Sequence, residues 1–216
     1  MISPIDIIGS LVYRTREALN KNTAFLEKIK EYRYYYLVSD NENVQLWHYP
    51  GTPEEISDKY LQMQNLETSF LKYPAVFNYQ NILEQTGVTQ GYRDVFFNLA
   101  FVAPTNKDWG SFTRKDRVFY SILYDIYEEF LNQILRFNFK RRGTIMLNTV
   151  AEIPHKKYDV YTTGKSVTEI MEYRYCDYMD VIQIINLRLK IATYICDGDV
   201  ESIKEESYNV FGNLEI

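Results

Sequence analysis

Side chains able to do acid–base, nucleophilic or metal chemistry are few in this chain. The imidazoles are His48 and His155, and the thiols are Cys176 and Cys196. Neither histidine lies at metal-ligand spacing from a cysteine or from the other histidine, and the cysteines form no CxxC pair. Two cysteines are also too few for a disulfide framework, which fits a reducing compartment. The sequence therefore predicts no metal ion and no cofactor.

Motifs for phosphate binding and for nucleophilic catalysis are missing as well. The chain contains no GxxxxGK[ST] loop, no GxGxxG turn and no GxSxG elbow. Asp197-Gly198-Asp199 resembles the start of a calcium-binding loop, since carboxylates at alternate positions can converge on one cation. However, the glycine falls in second place instead of sixth, and Tyr208 stands where the twelfth position needs a glutamate. We therefore interpret this stretch as an acidic turn.

Carboxylate pairs for general acid–base catalysis are equally hard to assemble. Glu128 and Glu129 are adjacent on a predicted helix, where side chains point about 100° apart and do not converge on one substrate bond. The nearest nuclease-like set is Glu152 with Lys156 and Lys157, and it has no defined acidic partner upstream. We predict that the chain is not an enzyme. A small nuclease-like α+β enzyme that uses Lys156 or Lys157 is the alternative.

The formal net charge of −5 lies entirely in residues 197–216. The chain has 24 Lys and Arg against 29 Asp and Glu, and residues 197–216 hold six acids and one base, so the remaining 23 bases and 23 acids cancel. We expect residues 197–216 to form an acidic C-terminal tail. Such a tail is a solvated end, docks on a basic neighbour, or keeps a passing polyanion from adsorbing.

Targeting and membrane signals are not found in the sequence. The N-terminus has no basic start followed by an apolar run, and no later run reaches the roughly 18 apolar residues that a membrane span requires. We therefore expect no membrane association and folding in the cytoplasm. The length of 216 residues predicts a single α+β domain over residues 1–196, ahead of the acidic tail.

Helical periodicity, helix caps and β-rich runs predict a mixture of helices and strands. Helices are predicted at 4–20, 52–67 and 113–137, with N-terminal signals at Ser3, at a Thr52–Glu55 capping box and at Thr113–Asp116. Strands are predicted at 32–39, 44–49, 73–79, 92–105, 144–150, 158–162 and 185–191. The first two strands form a hairpin, and residues 73–105 form an extended hairpin whose tip stands off the body. Because no regular βαβ rhythm appears, we expect an α+β fold with a mixed or mostly antiparallel sheet, helices on one side, and the N-terminal helix packed on the long helix.

The predicted long helix is apolar over more of its circumference than one buried face needs. At about 100° per residue, its core row consists of Phe119, Ile122, Leu123, Ile126, Phe130 and Ile134. Ser121 and Asp125 fall on the opposite, solvated side. A second apolar flank lies between the two, at about 200° to 260°, and consists of Tyr120, Tyr124, Leu131 and Leu135. This flank packs either on another part of the same chain, such as the first helix, or on a neighbouring subunit.

The tyrosine content favours a surface that is buried against a partner. The chain holds 20 Tyr and 12 Phe beside only 9 Gly. Tyrosine combines a large apolar body with a polar tip, and it is enriched at interfaces. An AT-rich coding bias explains the same composition, and both explanations stay open.

Several segments between Tyr73 and Ile191 resemble structural proteins of tailed bacteriophages. They are YPAVFNYQNILEQTG, YRDVFFNLAFVAPTNKDW, SFTRKDRVFYSILYDIYEEFLNQI, YDVYTTG and DYMDVIQIINLRLKI. Their order is similar to that in tail-terminator or neck (head–tail connector) ring proteins, particularly those of Bacteroides and crAss-like phages. In that pattern a strand with proline precedes a β-hairpin, an aromatic-rich helix and a late strand of alternating Leu or Ile.

The resemblance implies a structural virion protein and no cofactor. It implies an α+β subunit that closes into a homo-oligomeric ring, six- or twelve-fold, at the neck or the head-proximal end of the tail. The expected partners are other neck, portal or tail proteins, and genomic DNA passes through the channel without sequence-specific binding. A closed ring needs two different patches on each subunit, and Tyr120, Tyr124, Leu131 and Leu135 are expected to supply one of them. A tyrosine-rich adaptor that binds another protein is a further alternative.

Overall fold

The computed structural model describes residues 2–32, 43–63, 72–89, 91–140, 145–146, 153–161 and 178–211. The helices are α1 (Pro4–Leu19), α2 (Thr23–Tyr32), α3 (Pro53–Gln62), α4 (Ser111–Arg114), α5 (Tyr124–Lys140) and α6 (Asp197–Tyr208), and a π-helical segment (Lys115–Leu123) joins α4 to α5. The strands are β1 (Trp47–Gly51), β2 (Ala75–Thr89), β3 (Tyr92–Pro104), β4 (Ile145–Met146), β5 (Lys156–Tyr161) and β6 (Met179–Ala192). The predicted α+β class is confirmed.

The strands of the described residues form one mixed sheet in the order β1-β2-β3-β6-β4. β1 runs parallel to β2, and the other pairs are antiparallel. β6 pairs with β3 along one side, while its other side pairs with β5 at residues 180–185 and with β4 at residues 190–191. β1 and β5 therefore lie at opposite edges of the sheet.

Both faces of the sheet are covered, which corrects the expectation of helices on one side only. The larger core lies under α1, α2, α6 and the long helix of residues 111–140, and it contains Val76, Leu99, Ile182 and Ile184 from the sheet. The smaller core on the other face forms where α3 packs on residues from β1, β2, β3 and β6. Alternation along each strand sends neighbouring apolar residues to the two cores, so an apolar strand needs cover on both sides.

The N-terminal helix and the α3 capping box form as predicted. The Ser3 side chain accepts a hydrogen bond from the Ile5 amide at the start of α1. Thr52 Oγ1 accepts from the Glu55 amide at 3.2 Å, and the Glu55 carboxylate accepts from the Thr52 amide at 2.7 Å. These reciprocal bonds satisfy amides that have no partner inside the helix.

The predicted hairpin at 32–49 is wrong in the part that the structure describes. Residues 33–42 lie outside the described residues, but Tyr32 ends helix α2 instead of starting a strand. Phe25 and Ile29, four residues apart on α2, are both buried in the larger core, and this i, i+4 pair is the helical signal that the β-rich composition obscured. β1 has β2 as its ladder partner, with Trp47 opposite Ala75.

The hairpin of β2 and β3 is confirmed, but its tip does not stand off the body. β3 pairs with β6 over its whole length, from Tyr92 opposite Ala192 to Pro104 opposite Met179. The turn-rich sequence that suggested a protruding tip belongs to β2, which continues to Thr89. Of the predicted strand at 144–150, the structure describes the two residues of β4.

The late strand β6 carries a bulge that its sequence alternation conceals. Leu187, Leu189 and Ile191 face the larger core, whereas Ile182 and Ile184 reach that core from the opposite parity. The change occurs at Asn186, which has φ 56, where β6 uses one more residue than β3. An extra residue in one strand reverses which side chains face the core.

The expectation of a solvated acidic tail is wrong for residues 197–208. They form α6, which packs against α1 and buries Ile203 and Ser207. Glu206 accepts hydrogen bonds from Arg14 Nε and Nη2, each at 2.9 Å. One carboxylate of residues 197–208 is therefore neutralised inside the fold. The two helices approach closely because Gly9 presents no side chain toward Ser207. Within the described residues, no helix is both long and apolar enough to cross a membrane.

Candidate functional site

The start of the long helix (residues 111–140) differs from the prediction in its N-cap and in its hydrogen-bond pattern. Its N-cap is Gly110 rather than Thr113, and no side chain caps it. The following π-helical segment is defined by amide hydrogen bonds that reach five residues back, such as that from the Tyr124 amide to the Phe119 carbonyl oxygen, and the Ser121 hydroxyl also donates to the Asp116 carbonyl oxygen at 2.9 Å. A wider helical turn rotates each residue by less than in an α-helix. Ser121, which the 100° spacing placed in solvent, is consequently buried.

The core row of the long helix is confirmed in full. Each of its six members is at most 4% exposed and belongs to the larger core. Phe130 meets Phe101 of β3 edge-to-face, with ring centroids 5.2 Å apart. The row therefore fixes the helix on the sheet, and it leaves the second flank pointing toward the β5 edge.

The structure places the four residues of the second flank in three different environments. The Tyr120 side chain is 53% exposed. Tyr124 is half-buried, and its hydroxyl donates to Asp159 of β5 at 2.5 Å. Leu131 and Leu135 are half-buried and line a groove. Part of the flank is thus covered by β5 of the same chain, and part faces solvent.

A polar clasp joins the long helix to β5. Asp159 accepts hydrogen bonds from the Tyr124 hydroxyl and from Lys157 Nζ, the latter at 2.6 Å. The same ammonium lies 4.5 Å from the centre of the Tyr124 ring and 5.3 Å from that of Tyr127. Burial and the hydrogen bond to Asp159 raise the pKa of Tyr124 above its usual range, so the phenol stays neutral and acts as a donor. The clasp therefore holds β5 and the helix in one orientation.

A second polar contact lies one helical turn further on. His155 Nδ1 donates to the Ile153 carbonyl oxygen at 2.6 Å, which leaves Nε2 to accept from the Tyr127 hydroxyl at 2.8 Å. Burial also raises the pKa of Tyr127. His155 is therefore held by two partners and connects residues 153–155 to the helix.

The groove beyond this contact has a volume of about 640 Å³. Its apolar lining comes from Leu131, Leu135, Ile153 and Pro154, and its polar lining comes from Glu128, Asn132 and His155.

Cations and aromatic rings lie next to one another on the surface formed by the N-terminal half of the long helix and β5. Lys115 Nζ lies 5.5 Å from the centre of the Tyr120 ring, and Tyr120 meets Tyr124 edge-to-face at 5.2 Å. The Arg114 guanidinium lies 5.5 Å from the centre of the Tyr161 ring, and the Tyr161 side chain is 38% exposed. We call Lys115, Tyr120, Tyr124, Lys157 and Tyr161 the aromatic–basic patch.

The other side chains that could act as acids, bases, nucleophiles or metal ligands do not converge on the aromatic–basic patch. His48 is buried on the face of β1 that points toward the larger core. Its ring stacks on that of Phe211, with ring centroids 5.4 Å apart. Lys157 of the nuclease-like set pairs with Asp159, while Glu152 lies outside the described residues. Cys196 is exposed, and Cys176 also lies outside the described residues. In the part of the chain that the structure describes, no three His, Cys, Asp or Glu side chains cluster as a metal site would need.

Sequence reasoning missed the partners of the flank. Asp159 and Lys157 stand on β5, two residues apart, and alternation in a strand puts both side chains on one face. That spacing was available as a signal, but nothing local shows which helix the face meets.

No protein-family model matches the chain, and searches of curated proteins and of solved structures find no match either.

Proposed function

We propose that this chain is a non-enzymatic structural protein of a tailed bacteriophage, a subunit of a homo-oligomeric ring at the neck or at the head-proximal end of the tail. The proposal rests on the resemblance of residues 73–191 and on the surface that those residues build. The segments that carry the resemblance include β2, β3, the long helix and β6, which follow in this order along the chain, with β4 and β5 before β6, and pack on one another. Their arrangement is compatible with the element order of the resembled proteins.

The aromatic–basic patch is the observation that carries the proposal. An exposed patch of tyrosine rings has the aromatic composition of an interface centre, where Tyr is enriched. Tyr120 supplies the most exposed ring of the patch, and it lies on the flank predicted to contact a neighbouring subunit. Phe112, in α4 at the start of the same long helix, is 91% exposed.

The clasp prepares this patch for assembly. Ordering long side chains at the moment of binding costs free energy, and a surface whose side chains are already fixed avoids that cost. Tyr124 is fixed by Asp159, and the Lys157 ammonium is fixed by the same carboxylate and by two rings. The part of the flank that is covered within the chain thus supports the part that is exposed.

In this proposal, six or twelve copies close into a ring between portal or capsid and tail. The neighbours in the virion are portal, neck and tail proteins, and genomic DNA passes through the central channel without being read. The chain uses no cofactor, and it assembles into the virion in the host cytoplasm.

Tyr120→Glu is expected to prevent ring assembly and to leave the subunit folded. A glutamate at this exposed position costs little free energy in the monomer. At the centre of a subunit contact, however, its carboxylate would lose its hydration. The matched control is Leu61→Glu, because Leu61 is also exposed, at 41%, and lies on α3 across the sheet. Size-exclusion chromatography with light scattering measures assembly, and circular dichroism checks the fold.

The proposed contact is contradicted if Tyr120→Glu assembles as well as the unmodified chain. It is equally contradicted if Leu61→Glu abolishes assembly to the same extent, because the effect would then be general to added charge. Loss of folding in Tyr120→Glu would instead identify Tyr120 as part of the intramolecular core.

A further inference from the structure

Helix α6 presents a predominantly acidic stripe to solvent. Asp197, Glu201, Glu205 and Tyr208 recur at spacings of three or four residues, which places them on one helical face, and all four are exposed. Lys204, which is also exposed, lies on the same face, three residues after Glu201 and four before Tyr208. Ile203 and Ser207 on the opposite face are fully buried. None of the three carboxylates forms an ion pair with any residue that the structure describes. The Tyr208 side chain, 64% exposed, ends the stripe.

The acidic stripe and the aromatic–basic patch lie on opposite sides of the subunit. In the helical layer, α1 packs against α5 on one side and against α6 on the other. The end of α6 is attached to β1, because the His48 amide donates to the Val210 carbonyl oxygen at 2.8 Å. The patch lies at the β5 edge, four strand spacings away, or about 19 Å across the sheet.

The two surfaces are complementary in charge and in composition. The patch presents Lys115 and Lys157 among three tyrosine rings, and Asp159 is bonded to Lys157 and to Tyr124, so Lys115 is the cation that remains for a partner. The stripe presents three carboxylates against one lysine, Lys204, together with a tyrosine. Two copies of the patch would repel each other, and so would two copies of the stripe, whereas patch and stripe attract.

We infer that the acidic stripe of α6 docks on the aromatic–basic patch of a second copy of this chain, in a head-to-tail contact. The inference rests on the proposed ring and specifies which two surfaces build it. Because the stripe and the patch are different surfaces at opposite sides of the subunit, each copy can engage one neighbour on either side, and the contact repeats until the ring closes. Carboxylates of the stripe pair with Lys115, Lys157 stays bonded to Asp159, and Tyr208 packs among the rings of the patch.

Charge reversal on each surface tests the contact. Lys115→Glu and Glu201→Lys are each expected to weaken self-association at least roughly tenfold, because each puts like charges across the contact. The double variant, with both changes in one chain, is expected to recover assembly. A one-to-one mixture of the two single variants is also expected to recover it, since every contact in an alternating ring then joins opposite charges. Lys21→Glu, at an exposed lysine in the turn after α1, is the matched control.

Each result decides the inference. Recovery in the double variant and in the mixture supports it, and so does weaker assembly of the unmodified chain when salt is raised. If the unmodified chain forms rings and both single variants form them equally well, the stripe-to-patch contact is overturned while the ring itself stands. If both single variants lose assembly and neither combination restores it, the two surfaces do not meet each other. If the unmodified chain does not self-associate at all, the contact is overturned together with the ring.

Discussion

Replacing Asp180 by alanine is expected to destabilise the fold by about 3–5 kcal/mol, because it leaves a buried guanidinium without its counter-charge. Arg114 Nε donates to one Asp180 oxygen at 3.1 Å, and Nη2 donates to the other. The Asp180 side chain is fully buried and that of Arg114 is 9% exposed, so little solvent screens the pair. The ion pair connects the start of the long helix to β6. It thereby holds in place the helix that carries Lys115, Tyr120 and Tyr124 of the aromatic–basic patch.

The double variant Arg114→Met with Asp180→Val separates the cost of an unpaired charge from the cost of lost packing. Replacing both charges with apolar groups removes the desolvation penalty together with the attraction, so we expect the double variant to be more stable than Asp180→Ala. Urea unfolding of the unmodified protein, of Arg114→Met, of Asp180→Val and of the double variant measures the coupling between the two side chains. A cost below about 1 kcal/mol for Asp180→Ala, which is typical of exposed ion pairs, would show that the pair does not hold the helix.

Acidification is expected to destabilise the protein through His48. Burial, with a smaller contribution from Lys59, lowers the pKa of His48 from 6.5 to about 3, so the folded protein keeps this imidazole neutral. The unfolded chain binds a proton at His48 below about pH 6.5, and the folded chain does not until about pH 3. The free energy of unfolding therefore falls as pH decreases through this window, by up to about 1.4 kcal/mol per pH unit from this group alone.

His48→Phe is expected to remove this contribution to the pH dependence. Among the residues that the structure describes, neither ring nitrogen of His48 has a hydrogen-bond partner, and the ring stacks on Phe211, so an apolar ring replaces it with little cost at pH 7. Carboxylates also titrate between pH 3 and 6.5, and the difference between the two proteins isolates the histidine. The control His155→Gln keeps His48 and removes the other imidazole. Identical slopes for His48→Phe and the unmodified chain would contradict the assignment.

The features set by local sequence pattern could be predicted, and those set by tertiary partners could not. The core row of the long helix follows from residue spacing alone, and all six of its members are buried. The capping box at Thr52 is likewise local and forms as expected. By contrast, the parallel pairing of β1 with β2 joins residues far apart in the chain, and no pattern within residues 44–49 indicates it.

Two errors show how local rules are overridden. The charge of residues 197–216 suggested a solvated tail, yet Ile203, Ser207 and Val210 pack into the core and leave the acids on the outer face of α6. Ser121 was assigned to solvent because an α-helical rotation was assumed across a segment that is π-helical. Angular position groups Tyr120, Tyr124, Leu131 and Leu135 in one flank, but only the contact of Tyr124 with Asp159 of β5 distinguishes this half-buried ring from the exposed ring of Tyr120.

The most direct measurement of the central claim is the mass of the assembled, unmodified protein. Native mass spectrometry and sedimentation velocity, run over a range of protein concentrations at low salt, are expected to show a closed species of six or twelve copies. Electron micrographs of that species should show rings with a central channel. A strict monomer at every concentration, above all one that degrades DNA in the presence of magnesium, would contradict the account.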